Sequence, residues 1–165
     1  MSIFPPAAWR QIVHTAIVLV VASGGYALGQ QGREAASTRR VIQPASYKPS
    51  PAPLVPAILV GDTLYMSGST GGDPTTGQLV SGGLEPEMTQ LMSNLTTVLA
   101  AAGMTMGDVV SVTAYLADMN DYATFNELYR RYFPNGSYPT RSTVAVKDLA
   151  RGARLELTMT AVRSK

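Results

Sequence analysis

A chain of 165 residues with no cysteine and one histidine has a short list of side chains for chemistry. Absent thiols remove thiolate nucleophiles, zinc–thiolate centres, iron–sulfur clusters and disulfides. The one histidine, His14, lies in an apolar run near the N terminus, so no imidazole serves a triad or a metal elsewhere in the chain. Arginine, carboxylate, hydroxyl, backbone and water remain. Two positions stand out: Arg141 in Pro139-Thr140-Arg141-Ser142 and Glu156 in Leu155-Glu156-Leu157. A half-buried arginine clamps a carboxylate through two parallel hydrogen bonds. A glutamate nearby can take a proton from water and hand one to carbon or nitrogen. The same pair can equally bond to each other or cap neighbouring strands, because ion pairs in sheets are commoner than sites.

Two strands must position these groups. Alternation over 153–162 sets Leu155, Leu157, Met159 and Ala161 on one face and Arg154, Glu156, Thr158 and Thr160 on the other. Over 141–146, Ser142, Val144 and Val146 oppose Arg141, Thr143 and Ala145. With the apolar sets turned toward helices, Arg141 and Glu156 are expected together on the second face of the sheet. That face, rich in threonine and small residues, resembles a surface that packs on other copies of itself. Ala57–Val60 and Thr63–Ser67 form a strand pair around Gly61-Asp62, and Val109–Leu116 is a further strand. Apolar residues at Met88, Leu91, Met92, Leu95, Val98, Leu99 and Ala102 predict a helix over 85–102 that ends at Gly103. A second helix is expected over 122–133, before Pro134-Asn135-Gly136. The order predicts an α+β fold: a mixed sheet with two helices on one face.

The chain is 45% hydrophobic and 15% charged, the composition of a single globular domain with an appended segment. Its net charge is +2, but beyond position 45 ten acidic residues balance nine basic ones, which argues against a nucleic-acid partner. Residues 12–29 carry no Asp, Glu, Lys or Arg and follow Arg10, and Ala27-Leu28-Gly29 offers small residues for cleavage. Residues 1–29 are therefore expected to be a signal peptide, or an anchor if uncleaved, with membrane contact only through 12–29. Either role implies export to a periplasmic or extracellular compartment, or N-terminal anchoring. Arg33, Arg39 and Arg40 oppose translocation of the chain beyond the apolar run. A flexible arm is expected over 30–45, with one short edge strand near Arg40–Gln43, and the domain over 46–165.

Gly61-Asp62-Thr63-Leu64-Tyr65, Ser67-Gly68, Asp73-Pro74, Thr76-Gly77, Ala101-Ala102-Gly103 and Gly107-Asp108-Val109-Val110 together resemble the reactive intermediate deaminase (RidA/YjgF) family. The likeness continues through Leu116-Ala117-Asp118-Met119, Phe125-Asn126 with Tyr129, Pro139-Thr140-Arg141-Ser142 and Leu155-Glu156-Leu157. It implies a chorismate-mutase-like protomer in a homotrimer whose second sheet faces meet inside, with sites in the clefts between subunits. It also implies cofactor-free and metal-free hydrolysis of enamines and imines, such as 2-aminoacrylate, to 2-keto acids and ammonia. By the same resemblance Arg141 holds the substrate carboxylate and Glu156 activates water. Ser67, Gly68, Asn126 and the Thr143 backbone line the pocket. Two positions depart from the family: Leu54 stands where a tyrosine usually contributes to the site, and Ser69 where glutamine follows Ser-Gly. Loss of that hydroxyl leaves open a non-catalytic trimer that binds small carboxylates or protects other proteins.

Overall fold

The structure is a computed structural model that describes residues 38–164. The expected signal or anchor segment, residues 1–29, lies outside the described residues. Six strands form one sheet: β1 (Arg39–Ile42), β2 (Ala57–Val60), β3 (Thr63–Met66), β4 (Val109–Leu116), β5 (Thr140–Ala145) and β6 (Leu155–Val162). Their spatial order is β1-β2-β3-β6-β4-β5. Only β4 and β5 pair in parallel, and the other neighbours are antiparallel, so the sheet is mixed. Gly61 makes the β2–β3 turn by taking φ of 58°, a conformation that suits a tight hairpin and penalises a side chain.

Helix α1 (Leu84–Ala101) and helix α2 (Tyr122–Arg130) cover one face. The 3,4 spacing of α1 buries Met88, Leu91, Met92, Leu95, Val98 and Leu99 against the sheet, leaving its other side to solvent. The expected bounds of α1 lie one residue late at each end. Helix α2 stops at Arg130, earlier than expected, because Arg131, Tyr132 and Phe133 bond back three residues rather than four. Two buried polar side chains of α1 tie the helix to the loop before it and to the entry of β6. Asn94 Nδ2 donates to Thr70 O (3.3 Å) and Gly72 O (2.7 Å), and Glu87 Oε2 accepts from Arg154 N at 2.8 Å. Gly71 sits where a Cβ would meet the Glu87 backbone at 2.6 Å, so this loop approaches the helix only as glycine.

The short edge strand expected near Arg40–Gln43 is part of the sheet. Arg39–Ile42 is the first strand, paired antiparallel with β2, and the compact unit begins at Thr38 rather than at 46. Proline composition directs the eye to 44–56, yet Ile42 and Pro44 are both buried and secure the strand. Opposite the helices, no element among the described residues covers the second face of the sheet. It presents Val41, Tyr65 and Val144 among Thr113, Tyr115, Thr158 and Thr160, with Tyr65 53% exposed. No helix among the described residues is long and apolar enough to cross a membrane.

Candidate active site

Register decides where the two key side chains go. Val112 of β4 lies between Arg141 of β5 and Met159 of β6, while Tyr115 lies beside Glu156 of β6 and Val144 of β5. Cross-strand partners share a face. Val112 and Met159 are buried under the helices, so Arg141 belongs to the helix side, and Glu156 to the uncovered side. The expectation of a common face for Arg141 and Glu156 is therefore overturned. Its flaw was to let the valines choose the face of β5. This strand is an edge, Val144 is 44% exposed, and parallel pairing with β4 turns Arg141, Thr143 and Ala145 inward instead.

Arg141 is seated on helix α2. Its Nη2 donates to Asn126 Oδ1 at 2.5 Å. Its guanidinium carbon lies 4.9 Å from the Phe125 ring centroid and 4.6 Å from that of Tyr129, inside cation–π range. The rings are 5.5 Å apart and tilted by 45°, which makes a shallow platform. Tyr129 is buried, and burial pushes its phenol up to about 12 against the opposing charge of Arg141. Among the described residues its hydroxyl has no hydrogen-bond partner. Phe125 and Tyr129 were not singled out as site residues by sequence reasoning. Their signal was legible: aromatic residues at 125 and 129 form an i, i+4 pair on α2, with Asn126 flanking it and Phe133 continuing the spacing in the turn beyond the helix. Thr143 lies further along β5. Val146 N donates inward to Leu116 O (2.9 Å), so strand alternation turns the Thr143 backbone groups outward, to the free edge.

Glu156 gathers a different set. A Cβ at Gly68 would stand 1.9 Å from Glu156 Oε1, so the carboxylate lies directly against the Gly68 backbone. This approach follows from the path of the chain after β3, where Ser69 forms a bridge with Leu157 through bonds of 2.9 and 3.0 Å. Ser67 is committed to structure: its Oγ donates to Val55 O at 2.6 Å and its N–H to Pro56 O at 2.9 Å. Those bonds fasten the segment carrying Leu54 beside Gly68. A cavity of about 370 Å³ opens here, with Leu54, Ser67, Gly68, Lys48 and Arg151 on its wall and neither Arg141 nor Glu156.

The six expected site residues thus fall into two groups. Arg141, Asn126 and Thr143 form a cationic anchor at the β5 edge. Glu156, Gly68 and Ser67 form a carboxylate site on the uncovered face. Within one protomer the sheet separates them. The first group can hold a carboxylate, and the second can hold and deprotonate a water. Among the described residues no three His, Cys, Asp or Glu side chains converge to hold a metal ion.

Comparison with known proteins places both halves in one family. The profile of the family described as endoribonuclease L-PSP matches residues 46–163. The human protein named 2-iminobutanoate/2-iminopropanoate deaminase is 42% identical over 125 residues, covering 76% of this chain and 90% of the relative. The mouse protein of that name is 43% identical over 125 residues, covering 76% and 92%. Among solved structures, a putative endoribonuclease from Thermotoga maritima superposes with a TM-score of 0.72 at 34% identity, covering 76% of this chain and 98% of that one. Escherichia coli TdcF with bound serine gives 0.70 at 31% identity, covering 76% and 99%. The chain belongs to the endoribonuclease L-PSP family, in which its resemblance to RidA/YjgF proteins had placed it.

Proposed function

We propose that the protein hydrolyses short 2-imino and 2-enamino carboxylates to 2-oxo acids and ammonia, and that it does so as a homotrimer. The observation that carries the reading is the separation of the cationic anchor and the carboxylate site onto opposite faces of an incompletely covered sheet. A neighbouring copy packed on the uncovered face brings the β5 edge of one protomer to the Glu156 side of the next. Arg141 then holds the substrate carboxylate, with the Thr143 backbone beside it. An enamine first becomes the imine by net transfer of a proton from nitrogen to the β-carbon; Glu156 then takes a proton from a water that attacks the imine carbon, and returns it to nitrogen. The carbinolamine collapses to the C=O product, and ammonia leaves with the proton balance closed. An imine carbon is already electrophilic, so holding, orienting and one proton shuttle suffice. Ser67 acts through the 54–56 segment rather than by donating its hydroxyl hydrogen to substrate.

The assay is ammonia and 2-oxo acid release from enzymatically generated 2-aminoacrylate or 2-iminobutanoate. Arg141→Ala is expected to raise KM about a hundredfold, the loss of two charge-assisted hydrogen bonds. Glu156→Gln is expected to lower kcat by about 10²–10⁴. No acceleration by the wild type over buffer refutes the reading. One feature favours a second: Leu54, 54% exposed, stands where the family resemblance expects a tyrosine. On that reading the trimer binds 2-oxo acids and is stabilised by them without turnover, and the same assay decides. The N-terminal run supports export or anchoring of the domain. Edman sequencing of the mature protein, beginning near residue 30 or at Met1, separates a cleaved signal from an anchor.

A further inference from the structure

We propose that Phe125, Asn126 and Tyr129 are positioning residues for Arg141, which together leave its guanidinium one open edge and so dictate the orientation in which a carboxylate docks. The proposal rests on the reading of Arg141 as the carboxylate anchor and adds what aims it. Arg141 projects from an edge strand and is only half-buried, a setting in which a long flexible side chain samples many rotamers. Here three residues of one helix restrain it. The two rings, with centroids 4.9 and 4.6 Å from the guanidinium carbon, hold the cation by cation–π attraction and narrow the rotamers open to it. Asn126 Oδ1 takes one Nη2 hydrogen.

The chemistry of the fork gives that last contact its consequence. A guanidinium has two edges through Nη2, one shared with Nε and one with Nη1, and each supplies one Nη2 hydrogen. An acceptor on Nη2 occupies one edge and leaves the other for bidentate recognition. Asn126 therefore does not need to touch substrate. As a neutral acceptor it blocks the wrong edge without neutralising the charge that attracts the carboxylate. A single docking edge fixes which face of the imine is turned toward the attacking water.

The test measures the Kd of 2-oxobutanoate by calorimetry, together with KM and kcat. Tyr129→Leu is expected to weaken 2-oxobutanoate about tenfold, and Tyr129→Phe, which keeps the ring, to stay within about twofold of the wild type. Asn126→Ala is expected to lower kcat more than it raises KM, because the carboxylate still binds but at either edge. Asn126→Asp is expected to raise KM most, since its own carboxylate pairs with the guanidinium. Folded variants of Tyr129 and Asn126 with wild-type Kd, KM and kcat overturn the proposal, and the Asn126 pair decides it should Tyr129→Leu not fold. Arg141→Ala separates the two levels. If it leaves 2-oxobutanoate binding unchanged, the anchor assignment itself fails. If it abolishes binding while the helix variants change nothing, only the positioning role fails.

Discussion

Gly68 shows how much of a site can rest on a missing side chain. Alanine there would bring Cβ to 1.9 Å from Glu156 Oε1, and the flexible carboxylate would have to swing away. Gly68→Ala is therefore expected to leave the melting temperature nearly unchanged and to lower kcat at least tenfold, measured by ammonia release. Tyr129 makes the reverse prediction. Its buried hydroxyl lacks a partner among the described residues, so Tyr129→Phe is expected to stabilise the protein by about 1 kcal/mol in urea denaturation. A destabilised variant would reveal a partner for that hydroxyl. Arg141 and Glu156 drew attention as candidates by residue type, and Asn126 only through the family resemblance. Their contacts were not legible, because each depends on a residue distant in sequence: Arg141 on α2, and Glu156 on the turn after β3.

At the scale of elements, periodicity located nearly everything. Strands β2 and β4 match the expected bounds, and α1 is displaced by one residue, since a continuous apolar stripe leaves little choice. The face of β5 was misassigned because Val144 and Val146 were taken to mark the helix side of what is an edge strand, and only the pairing with β4 sets its face. Two joints between elements carry testable load. Asn94 ties α1 to the 70–72 loop, and Asn94→Ala is expected to cost about 2 kcal/mol in denaturant unfolding by stranding two carbonyls. Asp108, at the entry to β4, accepts hydrogen bonds from the Thr105 backbone N–H and from the Ser164 side chain and backbone, which hold its carboxyl down to about 2. A depressed carboxylate lends its stability above the ordinary value of 3.8 and loses it as pH falls through the lowered one. The gap in melting temperature between wild type and Asp108→Asn should accordingly narrow as pH drops from 3.8 toward 2. A gap that is constant with pH would discount the carboxylate.

For the whole molecule, the uncovered face is the governing feature. Its Thr158 and Thr160 were expected from alternation on β6, whereas Val144 was expected on the helix side, and Val41 and Tyr65 come from strands whose faces were not assigned. Charge placed there should prevent assembly: Tyr65→Lys with Val144→Glu is expected to elute as a folded monomer in size-exclusion chromatography. Because each protomer then holds only half of the site, activity should disappear with the trimer. An active monomer would contradict the shared site. The strand order also has a practical side. Strand β1 is one edge of the sheet, and β2, β3, β6 and β4 all lie between it and the strand that carries Arg141. Arg40→Cys, at an exposed position of β1, would thus give the chain a single thiol at the far margin of the sheet from the anchor, which makes that strand the natural handle for a fluorophore or for immobilising the protein on a sensor.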